Sequence, residues 1–323
     1  MTRYDDIEKI VQIARQYYEQ NLTQDEIAAN FGISRPTVSR MLKKALDDKI
    51  VFINIIDPYN KSTEYSDKLS QILQLKHCIV ISGQVHDINI TRRNIALAAA
   101  HYLADTIQAE DVVGLGWGRT LYELAESMEQ QPGRDVLFVP MLGGIGQIKP
   151  SLQVHSIIQK VSDAFGGRWI QYYVPGIVDS KELREQLTQT ANVQEMLGLW
   201  KRMNKAVVGI GETPVSSEII FQDNVADIEK NGLVEHGAVG DICMRFFDRD
   251  GKPVNYMMQD IMSIELHELA RVPEVIAIAG GDQKVDAIIG ASKAKYINTL
   301  ITDELTAQRI LEKVKFSSIA HDN

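Results

Sequence analysis

The sequence predicts an α/β protein: an N-terminal helix-turn-helix domain followed by a Rossmann-like domain on a mainly parallel sheet. Three observations predict it. Residues 22–44 (LTQDEIAANFGISRPTVSRMLKK) place two helix starts and one glycine turn close together. Beyond Pro58, apolar runs of strand length alternate with amphipathic helical stretches, the pattern of a parallel sheet covered on both faces. Glycine-rich turns follow several of those runs, where ligands of such sheets bind.

Taken in order, Ile7, Ile10, Val11, Ile13, Ala14 and Tyr17 recur at helical spacing and predict a first, longer amphipathic helix. Thr23 can cap the next helix, and Glu26 three residues on completes a capping box. Ile27, Ala28 and Phe31 form its apolar stripe, and Gly32 ends it because glycine takes positive φ without a Cβ penalty. Ser34 caps the third helix, with Pro36 in its first turn. Val38, Met41, Leu42 and Leu46 are expected to face inward. Residues 50–56 (IVFINII) read as a strand, and the domain ends near Asp57-Pro58, giving units 1–57 and 58–323 with a connecting helix within 58–76.

In a helix-turn-helix the start of the second helix reads base edges while nearby cations and hydroxyls hold phosphates. Arg35, Thr37 and Arg40 are therefore placed at bases, and Lys43 and Lys44 at phosphates. Ser34 and Ser39 on the same face, with Thr23 and Gln24 on the preceding helix, complete the candidate DNA-binding set. A charged helix face can be merely solvated, but no acidic residue lies between Ile27 and Leu46, although Asp25, Glu26, Asp47 and Asp48 flank the segment.

Composition limits the alternatives. The chain has 323 residues, 45% of them hydrophobic and 24% charged, enough apolar material for two domains. A net charge of −9 argues against indiscriminate nucleic-acid coating, so DNA affinity must come from a local patch. Cys78 and Cys243 lie in apolar runs and read as core thiols, neither a disulfide framework nor a metal motif. The polar start and the lack of any ~20-residue apolar run predict a cytoplasmic protein without a membrane segment.

Strands are expected at 77–82, 111–115, 136–142, 169–174, 206–210, 275–279 and 297–301. Helices are expected at 60–73, 91–107, 120–128, 152–164, 193–203, 285–294 and 304–314. Three glycine turns follow strands: Gly116-Trp117-Gly118-Arg119-Thr120, Gly143-Gly144-Ile145-Gly146 and Gly280-Gly281-Asp282-Gln283-Lys284. The first can hold a phosphate on the N–H groups of a helix start, the Thr120 hydroxyl and the Arg119 charge. Together the three read as one anion site, although any one alone would be a tight turn. Gly114, Gly116 and Gly118 do not form G-x-G-x-x-G, no G-K-[ST] follows a glycine loop, and neither H-E-x-x-H nor G-x-S-x-G occurs. No catalytic or metal-binding residue and no cofactor is assigned.

The segment from Ser34 to Arg40 (SRPTVSR), GWGRTL at Gly116, PMLGG at Pro140, AVGDICMRFFD at 238–248, AGG followed by Lys284, and KYINTLITDELTA from Lys295 occur in one order along the chain. In these motifs the sequence resembles the SorC family of bacterial sugar-responsive transcription regulators. The resemblance implies an effector domain related in fold to glucosamine-phosphate deaminase, ribose-phosphate isomerase and CoA-transferase domains. It also implies assembly mostly as tetramers, operator DNA as partner, and a phosphorylated sugar or polyol as effector.

By position, the resemblance puts the phosphate turn on Gly116, Gly118, Arg119 and Thr120. It puts the sugar-facing region on Leu142, Gly143, Gly144, Gln153 and His155, with Asp241 and Lys284 entering from the other side. Asp241 could equally cap a turn, and His155 could be a packed helix residue. Two other readings stay open: a phosphosugar isomerase or deaminase with a DNA-binding head, which would need a base such as Asp241 or His155, and a protein-binding adaptor.

Overall fold

The computed structural model describes residues 3–48, 50–51, 62–83, 87–146, 148–213, 227–255 and 260–319. The chain folds as two compact units, Met1–Pro58 and Tyr59–Asn323. Most of the strand expected at 50–56 lies outside the described residues.

The first unit holds α1 (Arg3–Tyr18), α2 (Gln24–Phe31) and α3 (Arg35–Asp47). The capping box forms as the sequence predicts: Glu26 N donates to Thr23 Oγ1 at 3.3 Å, and Thr23 N donates to Glu26 Oε2 at 2.8 Å. Gly32 sits in the left-handed region (φ 61°) and ends α2, and the Ser34 side chain caps α3. Ile13, Ile27, Val38 and Leu42 meet at the centre, with Ile10, Ala14 and Ala45 in a second cluster. Leu46 is a correction: it is 37% exposed, and Ala45 takes the inward place, because the stripe shifts by one position in the last turn.

In the second unit, α4 (Ser62–Ile72) leads into β1 (His77–Ile81), α5 (Ile88–Thr106), β2 (Val112–Leu115), α6 (Arg119–Ser127) and β3 (Leu137–Pro140). There follow α7 (Val154–Phe165), β4 (Arg168–Trp169), β5 (Ile177–Val178), α8 (Lys181–Thr188), α9 (Ala191–Trp200) and β6 (Lys205–Gly209). Next come α10 (Asp227–Glu235), the hairpin β7 (Gly240–Ile242) and β8 (Arg245–Phe247), then β9 (Asp260–Ile261) and α11 (Leu266–Leu269). The unit closes with β10 (Glu274–Ile278), α12 (Val285–Lys293), β11 (Thr299–Asp303) and α13 (Glu304–Ile319).

Seven strands form one sheet in the order β1-β11-β10-β6-β2-β3-β4, every pairing parallel. Strand periodicity sorts its side chains into two cores. Val113, Leu115, Val207, Ile276 and Ile278 join α5, α6 and α7 on one face. Val112, Ala206, Val208, Val275 and Ala277 join α9, α12 and α13 on the other. From β2 the chain passes through α6 to β3 on one side, whereas from β6 it reaches β10 on the opposite side. The border between β2 and β6 is therefore a topological switch point, where a crevice opens beyond the carboxyl ends of the strands.

The strand expected at 169–174 shrinks to Arg168–Trp169. Beyond it the backbone pairs with loops instead: Gly144 N donates to Val174 O at 2.9 Å and Gly176 N to Gly144 O at 2.6 Å. The antiparallel pairs β5-β9 and β7-β8 escape sequence patterning, because two- or three-residue strands carry too few positions to show a period.

Candidate effector cavity and DNA-reading helix

On α3 the outward residues divide into those that build the helix start and those left available. Ser34 Oγ and Thr37 Oγ1 lie 2.8 Å apart, so both hydroxyls are engaged at the cap. Arg35 Nε lies 3.9 Å from Asp25 Oδ2 of α2, an exposed ion pair bridging the two helices of the motif. Ser39, Arg40, Lys43 and Lys44 are exposed, Thr23 is exposed beside its capping partner, and Gln24 is partly covered. The face is hydroxyl-rich and cationic, as a groove-reading helix requires.

The α/β unit carries a cavity of about 350 Å³ at the switch point. Gly116 to Thr120 enter from β2 and the start of α6, Gly209 to Glu212 from β6, and Gly280, Gln283 and Lys284 from β10. Asp241 and Cys243 come from the β7-β8 hairpin, and Ile88, Arg92 and Ile95 from α5. α6 begins at Gly118 (φ 104°), which offers no side-chain cap to the first-turn N–H groups beside the cavity.

Three charged groups here are displaced from their ordinary behaviour. Burial lowers the Lys284 ammonium to about 8; Arg92 and Arg119 act in the same direction and Glu212 and Asp241 oppose it. Burial lifts the Asp241 carboxyl to about 6, against a hydrogen bond from Met244 N (2.9 Å) and the charge of Lys284. Asp241 Oδ1 has no hydrogen-bond partner among the described residues. Burial, then Arg119, holds the Arg92 guanidinium below its usual range, and Arg92 Nη1 donates to Asn89 Oδ1 at 2.9 Å. The hairpin turn is strained: Cys243 and Met244, both buried, have φ of 51° and 65°, values that two-residue hairpin turns normally assign to Asn and Gly.

The structure thus brings together Gly116, Gly118, Arg119, Thr120, Asp241 and Lys284, and separates the other five effector candidates from this cavity. Leu142 is fully buried and bridges to Ser263. Gly143 N donates to Met262 O at 2.8 Å, and a Cβ there would lie 2.6 Å from Val174 O, so this glycine serves close backbone packing. Gly144 pairs with 174–176, and Gln153 clamps the same loop by accepting from Ile145 N at 3.1 Å and donating to Ile145 O. His155 Nε2 accepts from Tyr172 N at 3.1 Å, and burial holds the imidazole below its usual pKa, so the ring is a neutral structural acceptor.

The expected turn at 143–146 is replaced by the one at 209–212, because β6, not β3, lies between β2 and β10. Sequence reading passed over Arg92 and Glu212. A signal existed for Glu212, in Gly209-Ile210-Gly211 after a strand, and for Arg92, a cation near the start of the helix following β1. Cys243, read as a core thiol, is buried yet lines the cavity. Among the described residues no cluster of His, Cys, Asp and Glu could hold a metal ion, and no helix is long and apolar enough to cross a membrane.

A helix-turn-helix unit and an α/β unit with a cavity lined by charged side chains, in one chain, define a DNA-binding transcription regulator. Residues 57–312 match the family described as "Putative sugar-binding domain", and residues 11–48 match region 4 of sigma-70. Over 318 residues the chain is 31% identical to the Sorbitol operon regulator of Klebsiella pneumoniae, covering 97% of this chain and 100% of that protein. It is 30% identical over 306 residues to the Deoxyribonucleoside regulator of Bacillus subtilis (strain 168), covering 93% and 96%. The crystal structure of the full-length sorbitol operon regulator SorC from Klebsiella pneumoniae superposes with a TM-score of 0.75, at 30% identity, over 95% of this chain and 99% of that one.

The chain belongs to the SorC family of transcription regulators. It is a DNA-binding transcription regulator with a sugar-binding domain, not an enzyme, and the isomerase or deaminase alternative is set aside because these relatives are named as regulators.

Proposed function

We propose that the cavity binds a phosphorylated sugar or polyol and that its occupancy changes the affinity of the protein for operator DNA. The carrying observation is the meeting, in one cavity, of the start of α6, which has no side-chain cap, Arg119 and Lys284 with an Asp241 Oδ1 that has no hydrogen-bond partner among the described residues. The helix start and the cations suit a phosphate; a buried carboxylate oxygen suits a sugar hydroxyl. Arg119, Thr120 and the N–H groups of 118–120 take the phosphate, Asp241 and Glu212 take hydroxyls, and Lys284 bridges the two ends. Leu142, Gly143, Gly144, Gln153 and His155 are left out of this assignment.

In the same reading residues 1–57 read DNA, with Arg35 and Arg40 at bases and Lys43 and Lys44 at phosphates, while Thr37, expected at a base, holds the helix start with Ser34. Residues 58–323 bind effector and assemble the protein as a homo-oligomer, a tetramer by family resemblance. Affinity for a spaced pair of half-sites then depends on how the occupied and empty effector units hold the reading heads.

The test is selection of sheared genomic DNA by the full-length protein at near-physiological salt, with and without a mixed pool of sugar phosphates, and with the parent sugars as control. Enrichment of a few sites that the phosphates alone alter is the expected result. Enrichment indifferent to the phosphates removes the effector assignment, and no enrichment removes the DNA-reading assignment.

A further inference from the structure

α13 touches the cavity loop along one flank and α4 along the other. On the first flank, Thr306 Oγ1 accepts from Gly281 N at 2.7 Å, Arg309 Nε lies 3.6 Å from Asp282 Oδ1, and Lys313 Nζ lies 2.6 Å from Asp286 Oδ1. Positions 306, 309 and 313 follow helical spacing, so one edge of α13 grips three successive points of the segment that carries Lys284. Thr306 is itself fixed, because its hydroxyl donates to Asp303 Oδ2 at 2.6 Å and its N–H to Asp303 Oδ1 at 2.9 Å, all buried. A Cβ on Gly280 would meet that same Oδ2 at 2.3 Å, so loop and carboxylate are packed without slack.

On the opposite flank, Gln308 Nε2 donates to Tyr65 OH of α4 at 3.1 Å and to Glu304 Oε1 at 3.2 Å. Between the flanks Ala307, Ile310 and Leu311 are buried in the core that also holds Leu69 and Leu73 at the end of α4. In the chain, α4 is the first described helix after the helix-turn-helix unit.

We infer that α13 couples the cavity to α4, with Thr306 as the positioning residue for the Lys284 loop and the Gln308–Tyr65 contact as the outlet to α4, the helix that follows the DNA-binding unit in the chain. The inference rests on the effector reading of the cavity. A helix held on one flank by the loop and on the other by α4 cannot follow a loop displacement without transmitting it, since packed interiors do not deform freely.

The test is amide hydrogen exchange by mass spectrometry on the full-length protein without ligand. In Thr306→Val, residues 281–284 and 62–72 should both exchange faster, by about fivefold, the worth of one ordinary hydrogen bond. α9 should be unchanged, and Thr306→Ser should restore both segments. A loosened loop with unchanged α4 overturns the inference. Should Thr306→Val loosen α9 as well, Gln308→Ala decides from the other side: faster exchange at both 62–72 and 281–284 supports the coupling, and at 62–72 alone overturns it. Inorganic phosphate added to the parent protein keeps the two readings apart. Protection of 116–120 and 281–284 supports the anion site, and its absence counts against that site while the ligand-free comparison still decides the coupling.

Discussion

Gly211 and Asp241 stand so close that a Cβ on Gly211 would lie 1.7 Å from Asp241 Oδ1. The glycine therefore leaves the space in which the carboxylate is held at the cavity, and its φ is not in the left-handed region, so space alone demands it. Gly211→Ala should rotate the carboxylate or shift β7 and weaken sugar-phosphate binding by about tenfold, the scale of overpacking. Operator affinity without effector should be unchanged. Calorimetric titration with and without DNA checks both, and unaltered sugar-phosphate binding would remove Asp241 from the site.

Stability should depend on pH through Asp241 and Lys284. The folded chain holds the Asp241 proton up to about 6 against an ordinary 3.8, so it binds more protons than the unfolded chain and stability falls as pH rises through that window. Lys284 releases its proton near 8 against an ordinary 10.5, so stability recovers between those values. Asp241→Asn removes the first cost and should gain about 1–3 kcal/mol at pH 7.5, trimmed by the lost counter-charge to Lys284, and little near pH 4. Thermal unfolding at the two pH values measures it; an equal gain at both would reject the raised carboxyl.

Arg40→Ala should abolish operator selection and keep sugar-phosphate binding, and Lys284→Ala should do the reverse. Lys43→Ala should weaken all DNA alike and reduce the salt slope by about 0.9. Loss of both functions in either well-folded single variant would contradict the division of labour.

Asp25→Asn should alter base preference, because it releases Arg35 from its partner on α2. Side chains 65% and 75% exposed make a pair worth less than about 1 kcal/mol, so the melting temperature should barely move. Selection from a randomised operator library reads the first effect, and an unchanged consensus would return Arg35 to a purely structural role.

Gln153→Ala should cost about 1–3 kcal/mol, because it strips the partners of the Ile145 backbone groups, yet leave sugar-phosphate affinity unchanged. Urea unfolding and calorimetry together decide whether the clamp is structural or touches ligand.

Particular residues show how far the sequence could be read. Thr23, Glu26, Gly32 and Ser34 act on neighbours within three or four positions, so their spelling is enough to place both helices of the reading motif. Alternating apolar runs likewise revealed all seven sheet strands, but placed β11 two residues early and overextended β3 and, most of all, β4, beyond which the backbone pairs with loops. Gly116, Arg119 and Lys284 were legible because glycine after a strand is a local sign. Gly143 shows the same sign and serves packing against Val174 instead.

By itself the sequence determined the helix-turn-helix, the strand–helix alternation and the family, since caps, periods and ordered motifs are written along the chain. Only the tertiary structure decided which glycine turns share a cavity. Strand order in the sheet is not chain order: β6 inserts between β2 and β10, bringing Glu212 to Lys284 and leaving the turn after β3 one strand away. Adjacency of strands is settled by burying both sheet faces at once, a global condition that no local spacing records.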